Sequence, residues 1–210
     1  MTIRSVIIHM GVAFAVAAFN SGAVAQTTQS DSQPTSQPAS QPTAATEVRV
    51  PPVPEFIQTA EPSGQRVLIH YVTNFDHDDN PGCVAFNAAF AALARGDEVE
   101  MLYDAGGVND LKLWHGAPAV YHCEIPQRLK DILATQYSLR PEDMPDTYQG
   151  YLRWLHVMGV RITYNGFMAN LVDLQDTVSQ RSDQIEPIAE PLTLQQMLEH
   201  RTAANTYLTH

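Results

Sequence analysis

The stretch Arg66-Val67-Leu68-Ile69-His70-Tyr71-Val72-Thr73, then Asn74-Phe75-Asp76-His77-Asp78-Asp79, then Asn80-Pro81-Gly82-Cys83 and onward through Phe86, Asn87, Phe90 and Leu93 to Gly96, decides the fold. The first block is a compact run of β-branched and aromatic residues, the pattern of a buried strand. The second is a polar loop. The third opens with Asn80 as an N-cap and Pro81 at the first helical position, carries apolar residues at helical spacing, and stops at a glycine. Strand, loop and helix in that order make half of a parallel βαβ unit.

The pattern repeats on the C-terminal side. Glu98-Val99-Glu100-Met101-Leu102-Tyr103 predicts the next strand, with Asp104-Ala105-Gly106-Gly107 turning the chain at its end. Pro118 to Cys123 reads as a short strand or a loop. Pro126 to Tyr137 has helical spacing at Leu129, Ile132 and Leu133, and Asp146 is placed to cap a helix through Tyr148, Leu152, Leu155 and Met158 that ends at Gly159. Val160-Arg161-Ile162-Thr163-Tyr164 predicts a third strand. Thr193 caps a helix through Leu194, Met197 and Leu198, and Thr206-Tyr207-Leu208-Thr209 predicts an edge strand. The expected architecture is a single α/β domain with a mainly parallel sheet flanked by helices.

On the N-terminal side the composition changes. Met1 to Ala25 has an early Arg4, an apolar run from Val6 to Phe19 and the small-residue ending Ala23-Val24-Ala25, which reads as a cleavable secretory signal peptide with Gln26 first in the mature chain. The apolar core is shorter than the roughly twenty residues of a membrane span, so none is expected in the mature form. From Gln26 the chain is Thr, Gln, Ser, Pro and Ala, with Ser-Gln-Pro at Ser32-Gln33-Pro34, Ser36-Gln37-Pro38 and Ser40-Gln41-Pro42. Residues 26–64 are expected to be a disordered linker and residues 65–210 the folded domain. The expected location is exported, periplasmic or secreted.

The chain has 12 Lys and Arg against 23 Asp and Glu, a net charge of −11. Nucleic-acid binding draws on clustered cations, so a nucleic-acid partner is excluded. Cys83 and Cys123 both survive signal removal, and in an oxidising compartment a bridge between them is open alongside two separate thiols.

These elements resemble the DsrE-like family, small α/β proteins related to sulfur-relay subunits. The resemblance rests on Val67-Leu68-Ile69-His70, on Asn87-Ala88-Ala89-Phe90-Ala91-Ala92-Leu93 with Gly96, on Val99-Glu100-Met101-Leu102-Tyr103 with Gly107-Val108, and on Leu155-His156-Val157-Met158-Gly159-Val160-Arg161-Ile162. It implies the family's α/β fold from about residue 65 onward and a homo-oligomer assembled through the sheet's flanking helices. In sulfur-transferring members a cysteine follows the later strand in the pattern Gly-Val-x-Ile-x-x-Cys-Gly. Here the register reads Gly159-Val160-Arg161-Ile162-Thr163-Tyr164-Asn165-Gly166, with Asn165 in the place of the nucleophile. An amide cannot become a persulfide, so the relay activity does not carry over at this position.

Loops leaving the carboxyl ends of parallel strands converge on one edge, where ligands bind. That rule gathers Asn74, Asp76 and His77, then Asp104 and Gly107, then Asn165, and makes Asn74, His77, Asp104 and Asn165 the candidate binding residues for a small ligand of unspecified chemistry. Cys83, expected in the first turn of its helix where the dipole favours a thiolate, is the candidate for reactive chemistry. The bland reading of Cys83 is a small buried residue or half of a bridge. His122 and Cys123, with His115 and His77 elsewhere, suggest a soft metal, but their spacing matches no metal motif. Asp76-His77-Asp78-Asp79-Asn80 lacks the glycine of a calcium loop, since Pro81 stands there. Trp114, Trp154, Tyr148 and Tyr151 read as core aromatics, and no cofactor fingerprint is present, so no cofactor is expected. Two functions stay open. One is a non-catalytic binding or assembly module, supported by Asn165. The other is a thiol- or metal-dependent sulfur or redox protein using Cys83 and Cys123.

Overall fold

Strand β1 spans Arg66–Tyr71, and its side chains alternate across the sheet as a strand's must. Val67, Ile69 and Tyr71 enter one apolar cluster and Leu68 another. The computed structural model describes residues 50–114, 117–118 and 124–210, all within a unit running from Thr43 to His210. Strand β2 (Glu98–Tyr103) lies beside β1. A two-residue antiparallel pair, β3 (Leu113–Trp114) and β4 (Ala117–Pro118), follows. The rest of the region expected as strand or loop up to Cys123 lies outside the described residues. Strands β5 (Arg161–Asn165), β6 (Ala189–Leu192) and β7 (Thr206–Thr209) complete a five-stranded sheet of order β6-β5-β2-β1-β7. Every pairing in it is parallel. The protein has the expected α/β fold, a parallel sheet flanked by helices.

The helices divide unequally between the two faces. Short α1 (Glu55–Gln58), α2 (Asp79–Ala94), α3 (Gln127–Tyr137) and α4 (Tyr148–Val157) cover the face that carries Val67, Ile69, Val99, Met101, Tyr103 and Ile162. Aromatic rings fill this interior: Phe86 stacks on Tyr151 at 5.1 Å and Phe90 meets Trp154 at 5.0 Å, so the tyrosine and tryptophan of α4 are core as expected. The other face has α6 (Leu194–Ala203) over it and a small apolar cluster of Leu68, Leu102 and Leu192 with Met197, Ala204 and Tyr207. Its polar centre is satisfied internally, since the Thr163 hydroxyl donates to Glu100 Oε1 at 2.7 Å and His200 Nδ1 lies 2.8 Å from the same oxygen. Helix α5 (Gly166–Leu171) leaves directly from the end of β5.

Several boundaries differ from the sequence reading. The N-cap of α2 is Asp78, whose carboxylate accepts from Asn80 N at 3.0 Å. Asp79 then opens the helix and Pro81 is its third residue, which the first turn tolerates because those N–H groups have no intrahelical partner. Thr147 rather than Asp146 caps α4, accepting from Gly150 N at 3.2 Å, while Asp146 pairs with Lys130. The segment before residue 65, expected as linker, is packed from Val50 onward. Val50, Val53, Phe56 and Ile57 lie against the core, Phe56 stacks on Tyr137 at 5.2 Å, and Trp154 Nε1 donates to Pro52 O at 3.1 Å. These apolar anchors set this part apart from the Ser-Gln-Pro stretch, and residues 1–49 lie outside the described residues. Among the described residues no helix is long and apolar enough to cross a membrane.

Candidate functional site

Register places the site. Tyr103 pairs with Tyr164, so the residues that follow them, Asp104 and Asn165, emerge side by side at the carboxyl edge. The Asn165 amide donates to Asp104 Oδ1 at 2.7 Å. Its oxygen accepts from the N–H groups of Phe167 and Met168 at 3.0 and 3.2 Å, making Asn165 the N-cap of α5. Both ends of the side chain are committed, and the residue is buried.

Asp104 is the hub. Besides Asn165 it accepts from Ala105 N at 2.7 Å and faces His70 Nε2 at 3.0 Å. Ala105 reaches it by adopting φ 45°, the left-handed region that a side chain disfavours. The hydrogen bond from His70 holds the Asp104 carboxyl below the usual range, and the Asn165 amide and Ala105 N–H add to this against the opposing effect of burial. Because the carboxylate only accepts, His70 Nε2 carries the hydrogen. His70 Nδ1 then accepts from the Tyr207 hydroxyl, 2.5 Å away on β7. A continuous chain Tyr207–His70–Asp104–Asn165 thus runs across β7, β1, β2 and β5 into the first turn of α5. His70 and Asp104 keep 17% and 20% side-chain exposure, so the chain is reachable from outside.

The other expected binding residues are less central. Asn74 Oδ1 accepts from Asp76 N at 2.8 Å, closing its own turn. Its loop lies against Gly106, where a Cβ would stand 3.2 Å from Val72 O and 3.4 Å from Asn74 N. Gly107 backs on Tyr71, whose carbonyl oxygen a Cβ would meet at 2.7 Å. His77 is exposed and joins the loop through its backbone N–H to Asn74 O at 3.0 Å, with no described contact to the Asp104 chain. Structure therefore unites Asp104 and Asn165, sets Asn74 nearby and leaves His77 apart. Sequence reasoning missed His70 and Tyr207. The available signal was a histidine interrupting an apolar strand four residues before the polar loop.

Cys83 lies on the opposite face of the sheet, in the core cluster with α2. It is the fifth residue of α2, beyond the first turn where the dipole acts, so the helix start at Asp79 corrects the expected thiolate position. It is a free cysteine, 9% exposed. Burial pushes the thiol up, and the nearby Arg128 guanidinium only partly opposes this. Arg128 is itself paired with Asp79. Cys123, His122 and His115 lie outside the described residues, and among the described residues no group of three or more His, Cys, Asp or Glu side chains could hold a metal ion.

On that same face is a buried carboxyl that the sequence did not single out. Asp110 is fully buried, accepts from Phe75 N through both oxygens at 3.2 and 3.0 Å, and is pushed up to about 7 by burial. Its bonds fix the loop after β1 on the turn after β2. No protein-family model matches the chain, and no curated protein matches it.

Proposed function

We propose that this chain is an exported DsrE-like domain that serves as a non-catalytic binding or assembly module, its ligand seated at the carboxyl edge of the sheet, and that it relays no sulfur through the position of the family's cysteine. The observation that carries this reading is the state of Asn165. The residue in the nucleophile's place spends both ends of its amide on Asp104 and on the first turn of α5, so it acts as a strut between strand, turn and helix. The carboxylate and imidazole beside it form a preorganised polar lining of the kind that orients a ligand. Export is supported by the three-part pattern of Met1 to Ala25. Burial of Cys83, which favours its protonated and less nucleophilic form, weighs against the thiol reading.

Self-association through the flanking helices is the assembly form of the proposal. Leu194 and Leu198, 53% and 64% exposed on α6, support it, and light scattering that returns the monomer mass at all concentrations would remove it. The register behind the binding reading is tested by Asn165→Cys. A folded Asn165→Cys protein, checked by circular dichroism, should take sulfane sulfur from a persulfide donor at residue 165, mapped by peptide mass. The same protein left unloaded would show that position 165 is not the relay position, and the reading would fall.

A further inference from the structure

The chain from Tyr207 through His70 to Asp104 has the order hydroxyl, imidazole, carboxylate, the arrangement by which enzymes draw a proton from a hydroxyl as its oxygen reacts. Each link is in place: 2.5 Å from Tyr207 Oη to His70 Nδ1, and 3.0 Å from His70 Nε2 to Asp104 Oδ2. Asp104 is immobilised by Asn165 and the Ala105 N–H, so it orients the imidazole and steadies it when charged. The location is equally specific. From β1 the chain moves to β2, β5 and β6 in one direction, and β7 returns to the other side of β1. His70, next to last in β1, and Tyr207, second in β7 and registered with Leu68, lie on either side of the point where strand order reverses; open parallel sheets take their ligands outside the carboxyl ends at that point, the end that His70 is near.

Arg201 adds a charge. Its guanidinium carbon lies 4.5 Å above the Tyr207 ring. Among the described residues every other arginine has a carboxylate or carbonyl partner, whereas the described contact of Arg201 is this ring. In a protein of net charge −11, a cation with no described carboxylate partner over the Tyr207 ring favours a negatively charged ligand.

We infer that Tyr207, His70 and Asp104 form a proton relay that makes the Tyr207 hydroxyl a nucleophile or proton donor toward an anionic small molecule drawn in by Arg201. This goes beyond the binding reading: it replaces the non-catalytic part of that reading at the lining of His70 and Asp104 and leaves the claim about residue 165, which is tested separately. The inference is tested with arylsulfonyl fluorides. The Tyr207 oxygen attacks sulfur, the S–O bond forms as the S–F bond breaks, fluoride leaves, and the phenol proton passes to His70 and then to buffer. Benzenesulfonyl fluoride and its 4-carboxylate analogue would be reacted with wild type, His70→Gln and Arg201→Gln, with sites and rates read by peptide mass and N-acetyltyrosinamide as the free-phenol standard. Tyr207 should react at least about tenfold faster than the standard, since positioned bases contribute roughly 10²–10⁴, and His70→Gln should lose this gain. The carboxylate probe should outpace the neutral one in wild type, and Arg201→Gln should remove that preference. Tyr207 reacting no faster than the standard would overturn the relay whether or not His70→Gln folds. Equal rates for the two probes on wild type would overturn the anionic ligand.

Discussion

Asn165 makes three hydrogen bonds from a buried amide, one of them to a carboxylate. A cap contributes about 1 kcal/mol and a bond to a charged group roughly 1.5–3 kcal/mol. Asn165→Ala is therefore expected to destabilise the fold by roughly 2.5–4 kcal/mol in urea denaturation, far more than an exposed substitution. Asp110 makes a second residue-level prediction, with the sign fixed by burial. Its folded value, about 7, exceeds the ordinary 3.8, so its contribution is full below the unfolded value and is lost as pH rises through the folded one. Asp104 is shifted the other way, mainly by His70, and its contribution is lost only as pH falls below the ordinary range. Stability should thus decline by roughly 1–3 kcal/mol between about pH 5 and pH 8. Asp110→Asn, whose amide oxygen still accepts from Phe75 N, should flatten that decline, and an unchanged slope in the variant would assign it elsewhere. At this scale the sequence showed Asp104 and Asn165, because strand ends can be read from pattern. It did not show His70, Tyr207 or Asp110, because their roles depend on β7 lying beside β1 and on a loop folding over a turn, which are long-range facts.

Strands β1 and β2 and helices α3 and α6 were legible because each carries its own periodicity and punctuation. Strand β6 was not: Ala189-Glu190-Pro191-Leu192 contains a proline and a glutamate, which an edge strand tolerates and a central one does not. Helix α5 is six residues long, too short for a helical period to register. Its placement rests instead on Gly166, where a Cβ would stand 1.9 Å from the Val178 carbonyl oxygen. Gly166→Ala must push the segment at Val178 away from the helix start and with it disturb the cap at Asn165. The expected cost is roughly 1–3 kcal/mol, as for other overpacked sites. Weakened protection of the Phe167 and Met168 amides to hydrogen exchange should accompany it. Full protection of those amides in Gly166→Ala would contradict the linkage of turn, cap and strand.

The molecule as a whole puts its two chemistries on opposite faces of one sheet. The thickly covered face holds Cys83 in an aromatic core, protonated and shielded. The thinly covered face carries the His70–Asp104–Asn165 chain to an open edge. The proposed absence of sulfur relay rests on Asn165, which stands at that edge as a strut. The most direct measurement offers a persulfide donor to the reduced wild-type protein, adds a thiol acceptor, and follows sulfur by peptide mass beside Cys83→Ser and Cys123→Ser. No sulfur is expected to pass from the protein to the acceptor. Stable loading of Cys83 followed by transfer to the acceptor, lost in Cys83→Ser, would contradict it.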